Sequence, residues 1–252
     1  MPSKLHRLLA GAALASALFA LPLSAQSWIR VTTSGVKPEN IQEYEGYVKQ
    51  ISAGYKKAGI PFNIVYQVLG GNLLEYTSVS PVAKFADLEG PNPLAKAMGA
   101  EAFGNLVNSI NRCRTSNTRY FALTWDDAGI IKGELSSQYW MRTRVPIEPG
   151  KFNDYRAFLK GDYRAALDKA GITQFRVNQP IFGAPPGTVE TVRMMKGLGE
   201  IDDGPVLTKA LGQAAADALN AKARTMTRGP AQTTIIRIRT DLSLLPAQDA
   251  GK

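Results

Sequence analysis

An internal repeat constrains the fold of this 252-residue chain more than any other feature. With a shift of 112 residues, the block Lys57-Ala58-Gly59-Ile60 aligns with Lys169-Ala170-Gly171-Ile172, and Trp28 aligns with Trp140. Further matches follow in the same order over about 100 residues, with small changes of shift that fall in predicted loops. The order of the matched blocks indicates a duplicated structural unit.

Each copy shows the same succession of periodicities. A strand-like alternation leads to Pro38 in the first copy and Pro149 in the second, and proline suits the first turn of a helix. The helical pattern that follows ends at Gly59 or Gly171, where a residue able to adopt positive φ favours a helix C-terminus. The predicted strands of the first copy are 28–33, 62–69, 73–79 and 119–125, with an Ala-rich helix at 93–112. Those of the second are 139–145, 174–182, 189–196 and 233–240, with a helix at 205–226.

This order predicts an α+β protein of two tandem ferredoxin-like βαββαβ repeats. The predicted repeats span residues 26–127 and 139–244. They are joined by a polar linker at 128–138 and followed by a flexible tail at 245–252.

The first 25 residues have the layout of a secretory signal peptide. Basic residues Lys4 and Arg7 precede an apolar run at 8–23, and Ser24-Ala25 stands before a polar segment. The run is shorter than the ~20 residues that span a bilayer, so a membrane anchor is the less favoured alternative. We expect cleavage after Ala25 and a periplasmic or secreted protein with no membrane attachment afterwards.

The single histidine, His6, lies inside this signal segment, so the exported chain is expected to contain none. That excludes Ser-His-Asp machinery, His-ligated zinc and a proximal histidine for haem. No cofactor and no metal site are predicted. Cys113 cannot form an internal disulfide. It stands between Arg112 and Arg114, which leaves a thiol of lowered pKa or a buried inert thiol as its two interpretations.

Two βαββαβ units in one chain resemble the dimeric α+β barrel superfamily in its tandem form, and more narrowly domains of the antibiotic-biosynthesis-monooxygenase type. The resemblance implies that two antiparallel sheets face each other as an intramolecular barrel, with helices outside and ligands within the barrel or under the helices. The same βαββαβ order occurs in RNA-recognition modules. The third strands, however, lack the aromatic signature of those modules, so no nucleic-acid partner is predicted.

Strand alternation predicts which side chains share a sheet face. Ile29 and Val31 of the first copy are expected under the helices, as are Ile236 and Ile238 of the second. The opposite face should collect ten candidate ligand-binding residues: Trp28, Arg30, Trp140, Arg142, Arg144, Arg176, Asn178, Arg193, Arg237 and Arg239.

Six of these arginines belong to the second copy, and like-charged neighbours ~7 Å apart repel by about 2 kcal/mol at an effective dielectric near 20. They therefore need water, carboxylates or a bound anion. The acids available to pair with them are Glu75, Glu190, Asp126, Asp127 and Asp241. The two tryptophans fit either the walls of a ligand site or packing that both copies require.

The main functional hypothesis is an exported protein of unassigned role, monomeric rather than oligomeric, that binds a small anionic or aromatic molecule at the arginine-rich face. The alternatives are a cofactor-independent monooxygenase-like enzyme, with Trp140, Asn178, Arg142 and Arg176 orienting the substrate, and a protein-interaction module with an exposed sheet. A closed pocket would favour the first two hypotheses, and an open face would favour the third.

Overall fold

The first half of the chain contributes four strands and a layer of helices. The computed structural model describes residues 27–70, 72–133 and 135–246. The chain runs in the order β1 (Ser27–Val36), α1 (Ile41–Lys57), β2 (Ile64–Leu69), β3 (Glu75–Val82), α2 (Pro93–Met98), α3 (Ala100–Cys113) and β4 (Arg114–Thr124). Short 3-10 turns at Pro38–Asn40 and Phe85–Leu88 connect these elements.

The second half follows the same general order after a two-residue strand. Its elements are β5 (Ile130–Ile131), β6 (Tyr139–Pro146), α4 (Phe152–Phe158), a π-helical turn (Leu159–Tyr163), α5 (Arg164–Lys169), β7 (Gln174–Phe182), β8 (Thr188–Met194), α6 (Gly199–Asp202), α7 (Val206–Leu211), α8 (Gln213–Arg224) and β9 (Gln232–Ile238). The segment predicted as a linker thus contains β5, which pairs with β7.

Eight of the described strands close into one antiparallel barrel. Their order is β4-β1-β3-β2-β9-β6-β8-β7, and β7 pairs again with β4. The two joints between the halves are β2 with β9, where Tyr66 lies opposite Ile238, and β4 with β7, where Thr124 lies opposite Asn178. Closure removes the unpaired sheet edges that an open four-stranded sheet would expose.

The strand alternation divides the buried side chains into an interior and two helix-covered layers. Tyr66, Trp140 and Ile236 belong to the cluster inside the barrel. Val48 of α1 packs against the outer face of the first sheet, and Phe158 of α4 against that of the second. The helices therefore lie outside and the barrel interior is a separate space.

Glycines at helix ends carry the expected backbone geometry, and two of them add breaks that the sequence patterns did not predict. Gly59 and Gly171 have φ values of 72° and 71° and stand two positions after the last residues of their helices, at the predicted helix ends. The Ala-rich helix expected at 93–112 is two helices separated by Gly99, and the helix at 205–226 is interrupted at Gly212. Their φ values of 91° and 83° lie in the region that glycine adopts readily and that an α-helix excludes.

One extra residue in the second half changes how the halves correspond. The helices begin at Ile41 and Phe152, 111 positions apart, but end at Lys57 and Lys169, 112 apart. The π-helical turn lies between those points. Such a turn holds one residue more than the α-turn it replaces. The strands before the helices therefore correspond at a spacing of 111, one less than the shift of the sequence repeat.

The predicted signal peptide at 1–25 and most of the predicted tail, 247–252, lie outside the described residues. Within 27–70, 72–133 and 135–246, no helix has both the length and the apolar character needed to cross a bilayer.

Candidate functional site

A cavity of about 180 Å³ lies inside the barrel, between strands from both halves. Its walls are largely apolar and include Ile29, Ile64, Val79, Trp140, Val192 and Ile236. The polar part of the lining consists of Tyr66, Thr124, Arg176, Asn178 and Glu190. The mixture of apolar walls and a few converging polar groups is typical of a small-molecule site.

Five of the predicted site residues meet here. Trp140, Arg176 and Asn178 line the cavity directly. Arg142 reaches the lining through Tyr66, since its Nη1 donates to the Tyr66 hydroxyl at 3.0 Å, and Arg144 reaches it through Glu190. The structure thus brings these five residues together on the inner face of the barrel.

Arg144 is neutralised inside the barrel. Its Nε donates to Glu190 Oε2 at 2.9 Å, and the Glu190 side chain is only 6% exposed. The hydroxyl of Tyr120 donates to the same carboxylate oxygen at 3.5 Å. This pairing corresponds to the alternative in which structural acids compensate the arginines, and it holds for one of the three interior guanidinium groups.

Arg176 is in the opposite situation. Its Nε atom is buried, and no acceptor for it is found within residues 27–70, 72–133 and 135–246. No carboxylate of the same ranges lies within ion-pair distance of its guanidinium group, although Asp126 acts on it from further away. Burial lowers the pKa of Arg176, because the charged guanidinium group is poorly solvated at this position.

The other polar groups of the lining are held in place by hydrogen bonds. Thr124 Oγ1 donates to Asn178 Oδ1 at 3.2 Å across the β4–β7 joint. Burial raises the pKa of Tyr66, and burial together with Glu190 raises that of Tyr120, so both hydroxyls stay protonated at neutral pH. The cavity therefore presents donors and one ion-paired carboxylate.

Three predicted members of the arginine face do not lie on it. Arg193 faces the helices and pairs with Glu200 of α6. Arg239 pairs with Glu45 of α1 and with Asp241, and Arg237 approaches Gln67 on the outer face. The prediction of a single six-arginine face is therefore wrong. Because side chains alternate with period two, a slip of one residue moves a whole set to the other face.

A separate error of one residue in β9 reversed the faces predicted for Ile236 and Ile238. They were expected under the helices but line the interior cavity.

The first copy shows the error most clearly. Ile29 and Val31 face the interior, whereas Arg30 donates to the hydroxyl of Tyr55 on α1. Ile29, not Trp28, corresponds to Trp140 once the 111-residue spacing is applied. The π-helical turn is the physical reason, since its extra residue shifts the sequence match by one position.

Trp28 lies outside the cavity, in an aromatic cluster. Its ring is 4.9 Å from Phe85 and 6.0 Å from Phe182, and Phe85 also contacts Phe121. Of the two interpretations offered for the tryptophans, packing describes Trp28, while Trp140 forms part of a cavity wall.

Several residues of the cavity lining were not predicted from the sequence patterns. Phe62, Leu245 and Pro246 contribute to the cavity lining, although residues from 245 onward were expected to form a loose tail. Leu244 pairs with Asn63 through two backbone hydrogen bonds of 2.7 and 2.9 Å, which brings this segment back to the barrel. No local pattern signals such a return.

The thiol of Cys113 matches the inert interpretation. It is 1% exposed, and burial raises its pKa despite the neighbouring arginines. Among the described parts of the chain, no group of three or more His, Cys, Asp or Glu residues is arranged to hold a metal ion.

No family model matches the chain, and no curated protein does so either. Solved structures do match it, and they share its fold. A candidate monooxygenase from Lactobacillus acidophilus NCFM aligns with a TM-score of 0.62 at 10% identity, over 85% of this chain and 95% of its own.

An anthrone oxidase-like protein aligns with a TM-score of 0.61 at 11% identity, over 88% of this chain and 94% of its own. A candidate monooxygenase from Fusobacterium nucleatum subsp. nucleatum gives 0.59 at 9% identity, over 86% and 94%. The chain therefore has the fold of the dimeric α+β barrel proteins. The eight strands of its barrel come from a single polypeptide.

Proposed function

We propose that the protein binds a small aromatic molecule carrying one acidic group inside the barrel. The buried guanidinium of Arg176 carries this proposal, because its Nε finds no acceptor within the described ranges. A buried donor without a partner costs about 1–3 kcal/mol. A carboxylate or phenolate of a ligand would accept from Arg176 and remove that cost.

The walls of the cavity support an aromatic body for this ligand. An apolar cavity of ~150 Å³ accommodates benzene, and the cavity here has about 180 Å³. One ring against Trp140 and Ile236 would leave its acidic group beside Arg176 and Asn178. A cavity set inside a closed barrel favours a ligand-binding role over an interaction module that presents an open sheet.

A thermal-unfolding titration with benzoate tests the proposal. A ligand at about 100 times its Kd should add ~2.7 kcal/mol to the free energy of unfolding. Benzamide, which has the same shape without the charge, should bind at least about tenfold more weakly, since a hydrogen bond to a charged group contributes about 1.5–3 kcal/mol. Arg176→Gln should lose the preference for benzoate, and Arg228→Gln, at an exposed arginine, should keep it. Equal binding of both compounds would contradict the proposal.

A second candidate function is cofactor-independent oxygenation of an electron-rich aromatic compound. It is supported by the fold shared with two candidate monooxygenases and an anthrone oxidase-like protein. Conversion of a ring methylene to a ketone consumes one O₂ and releases one water, and the substrate itself supplies the electrons. Arg142 and Arg176 would stabilise the substrate anion, Trp140 and Asn178 would orient it, and Glu190 would accept a proton.

Oxygen consumption with anthrone as the probe separates this second function from simple binding. The enzyme hypothesis requires one O₂ consumed for each ketone formed, detected by mass spectrometry. Glu190→Gln should slow turnover more than it weakens binding. A protein that binds benzoate but consumes no oxygen with anthrone would retain the first function and exclude this oxidation.

The proposal also covers three further properties: the origin of the two halves, the export of the chain and its monomeric state. We propose that the two βαββαβ halves are an internal duplication, which is supported by their common element order and by helices that break at Gly99 and Gly212. We also propose that the protein is exported after cleavage at Ala25. Closure of the barrel within one chain supports a monomer.

A further inference from the structure

A second cavity, of about 320 Å³, lies on the outer side of the first sheet, beneath α1 and α3. It is separated from the barrel interior by the sheet itself, because its lining includes Arg30, Thr32 and Ser78, which point away from Ile29 and Val79. Nothing proposed for the interior depends on it.

Three arginines line this outer cavity. Arg30 comes from β1, and Arg114 and Arg119 come from the neighbouring β4. The described lining contains no aspartate or glutamate. The sheet places Thr32 opposite Arg119, so Arg30 and Arg119 lie on the same face of adjacent strands.

The hydrogen-bond partners of these arginines are neutral. Arg30 donates to Ser80 Oγ at 3.2 Å as well as to Tyr55, and Arg114 Nη1 donates to Asn111 Oδ1 at 3.3 Å. The Nε of Arg114 is buried, and no acceptor for it is found in the described parts of the chain. Burial lowers the pKa of Arg119, and the charge of Arg30 lowers it further.

Three other partly buried arginines on the outer faces are paired with acids, whereas Arg237 approaches only the neutral Gln67. Arg193 pairs with Glu200, Arg239 pairs with Glu45, and Arg156 pairs with Asp127 at 2.9 Å. The cluster of Arg30, Arg114 and Arg119 lacks such a partner within 27–70, 72–133 and 135–246. Three guanidinium groups on one side of a cleft repel one another and suit an anion of more than one charge.

We infer that this cleft binds a phosphate monoester with a small apolar body. Such a group carries about −1.5 to −2 charge at pH 7 and presents several acceptor oxygens to the planar arginine forks. The opposite wall, formed by helix side chains such as Val48, Phe103 and Ile110, would cover the apolar body. Although burial of part of the Arg119 side chain lowers its pKa, the residue as a whole is exposed, so the cleft is accessible from solvent on that side.

Calorimetric titration of the full chain with phenyl phosphate tests this inference. Arg119→Gln should weaken binding by about tenfold, in line with loss of one charge-assisted hydrogen bond. Arg112→Gln, at an exposed arginine of α3 outside the cleft lining, should leave the affinity unchanged. Circular dichroism of both variants checks that they are folded, and Arg30→Gln provides a second test inside the cleft.

The pH dependence supplies an independent signature. The second pKa of a phosphate monoester is about 6, so the affinity should fall between about pH 7.5 and 5.5 as the dianion takes up a proton. The inference is overturned if phenyl phosphate does not bind, if Arg112→Gln weakens binding as much as Arg119→Gln, or if the affinity is unchanged across this range. Each of these outcomes leaves benzoate binding in the barrel unaffected, so the two sites can fail separately.

Discussion

Arg144 and Glu190 lie directly opposite each other on β6 and β8, and Arg144 Nε donates to Glu190 Oε2 at 2.9 Å inside the barrel. The two partners differ in exposure, because the Glu190 side chain is 6% exposed and that of Arg144 is 41% exposed. Removal of Arg144 should therefore lower the free energy of unfolding more than removal of Glu190, because it leaves the buried carboxylate without its partner.

We predict that Arg144→Met lowers the free energy of unfolding by about 3 kcal/mol and that Glu190→Leu lowers it by roughly 1–2 kcal/mol. The double variant should recover much of the loss, because no charge then remains unpaired. Urea denaturation of the two single variants and the double variant gives these values. Equal single costs, or strict additivity, would contradict the assignment of Glu190 as the buried partner.

Substitution of Arg176 should separate stability from ligand binding. Arg176→Met removes a buried Nε that has no described acceptor, so the free energy of unfolding should rise by about 1 kcal/mol while benzoate binding is lost. Arg142→Met is the matched control, because Arg142 donates to both Tyr66 and Thr234 and its loss should destabilise the protein. Destabilisation by Arg176→Met equal to that of the control would show that Arg176 serves the fold.

The ion pair between Arg239 and Glu45 should make the free energy of unfolding depend on pH in the acid range. The hydrogen bond from Arg239 lowers the pKa of the Glu45 carboxyl, and the same arginine lowers that of Asp241. A carboxyl group of lowered pKa stabilises the folded state fully above its ordinary pKa, near 4.5 for Glu45, and the contribution is lost as the pH falls through the lowered value.

The difference in Tm between the native protein and Arg239→Gln should therefore be constant near neutral pH and shrink below about pH 4.5. Thermal unfolding measured from about pH 7 to pH 3 tests this. Arg112→Gln supplies the baseline, because Arg112 is exposed. A difference that stays constant down to the acid end of that range would exclude the ion pair as the source.

The π-helical turn should tolerate a deletion that the corresponding continuous helix does not. Removal of Gly161 converts the turn at Leu159–Tyr163 to an ordinary α-turn and leaves both flanking helical segments in register. We expect a folded protein that has lost less than about 1 kcal/mol, near the scale of a single helix position.

Deletion of Gly46 in α1 is the control, because a Cβ atom at either glycine would have no neighbour within 4 Å. In that helix a deletion rotates Val48 and Tyr55 away from the sheet, and each buried side chain contributes about 1.5–3 kcal/mol. Circular dichroism and urea denaturation compare the two deletions. Similar losses would contradict the view that the turn contains one inserted residue.

Export predicts a defined N-terminus. Protein recovered from its own host should begin at Gln26, as shown by intact-mass measurement, because the small residues Ser24-Ala25 precede the expected cleavage point. Lys4→Glu with Arg7→Glu should block export by removing the basic start of the signal. Recovery of an unprocessed chain that still contains His6 would contradict the prediction.

Much of the fold follows from local patterns in the sequence. The helix ends at Gly59 and Gly171 were predictable because only a residue that accepts positive φ continues the chain there. The breaks at Gly99 and Gly212 carry the same signal. They were missed because the alanine-rich segments around them favour a continuous helix.

The candidate site was predictable in part. Arg142 and Arg144 were placed correctly on one face of β6, because alternation within a strand is a local property. Arg176 of β7 was also assigned to the inner face. Arg193 and Arg239 were misplaced, because their faces depend on which residue of each strand first points inward. That choice is made by the register with neighbouring strands, and Glu45 and Arg239 lie 194 residues apart.

The sequence by itself determined the order of the elements, the positions of two helix ends and the common face of Arg142 and Arg144 on one strand. The tertiary structure decided that the barrel closes at β2–β9 and β4–β7, that Glu190 neutralises Arg144 and not Arg176, and that Arg30 belongs to a separate cleft. The physical reason is the period of two in a β-strand: a shift of one residue moves a side chain to the other face, and pairing with neighbouring strands decides which face points inward. For β1, the shift comes from the one residue gained in the π-helical turn of the second half.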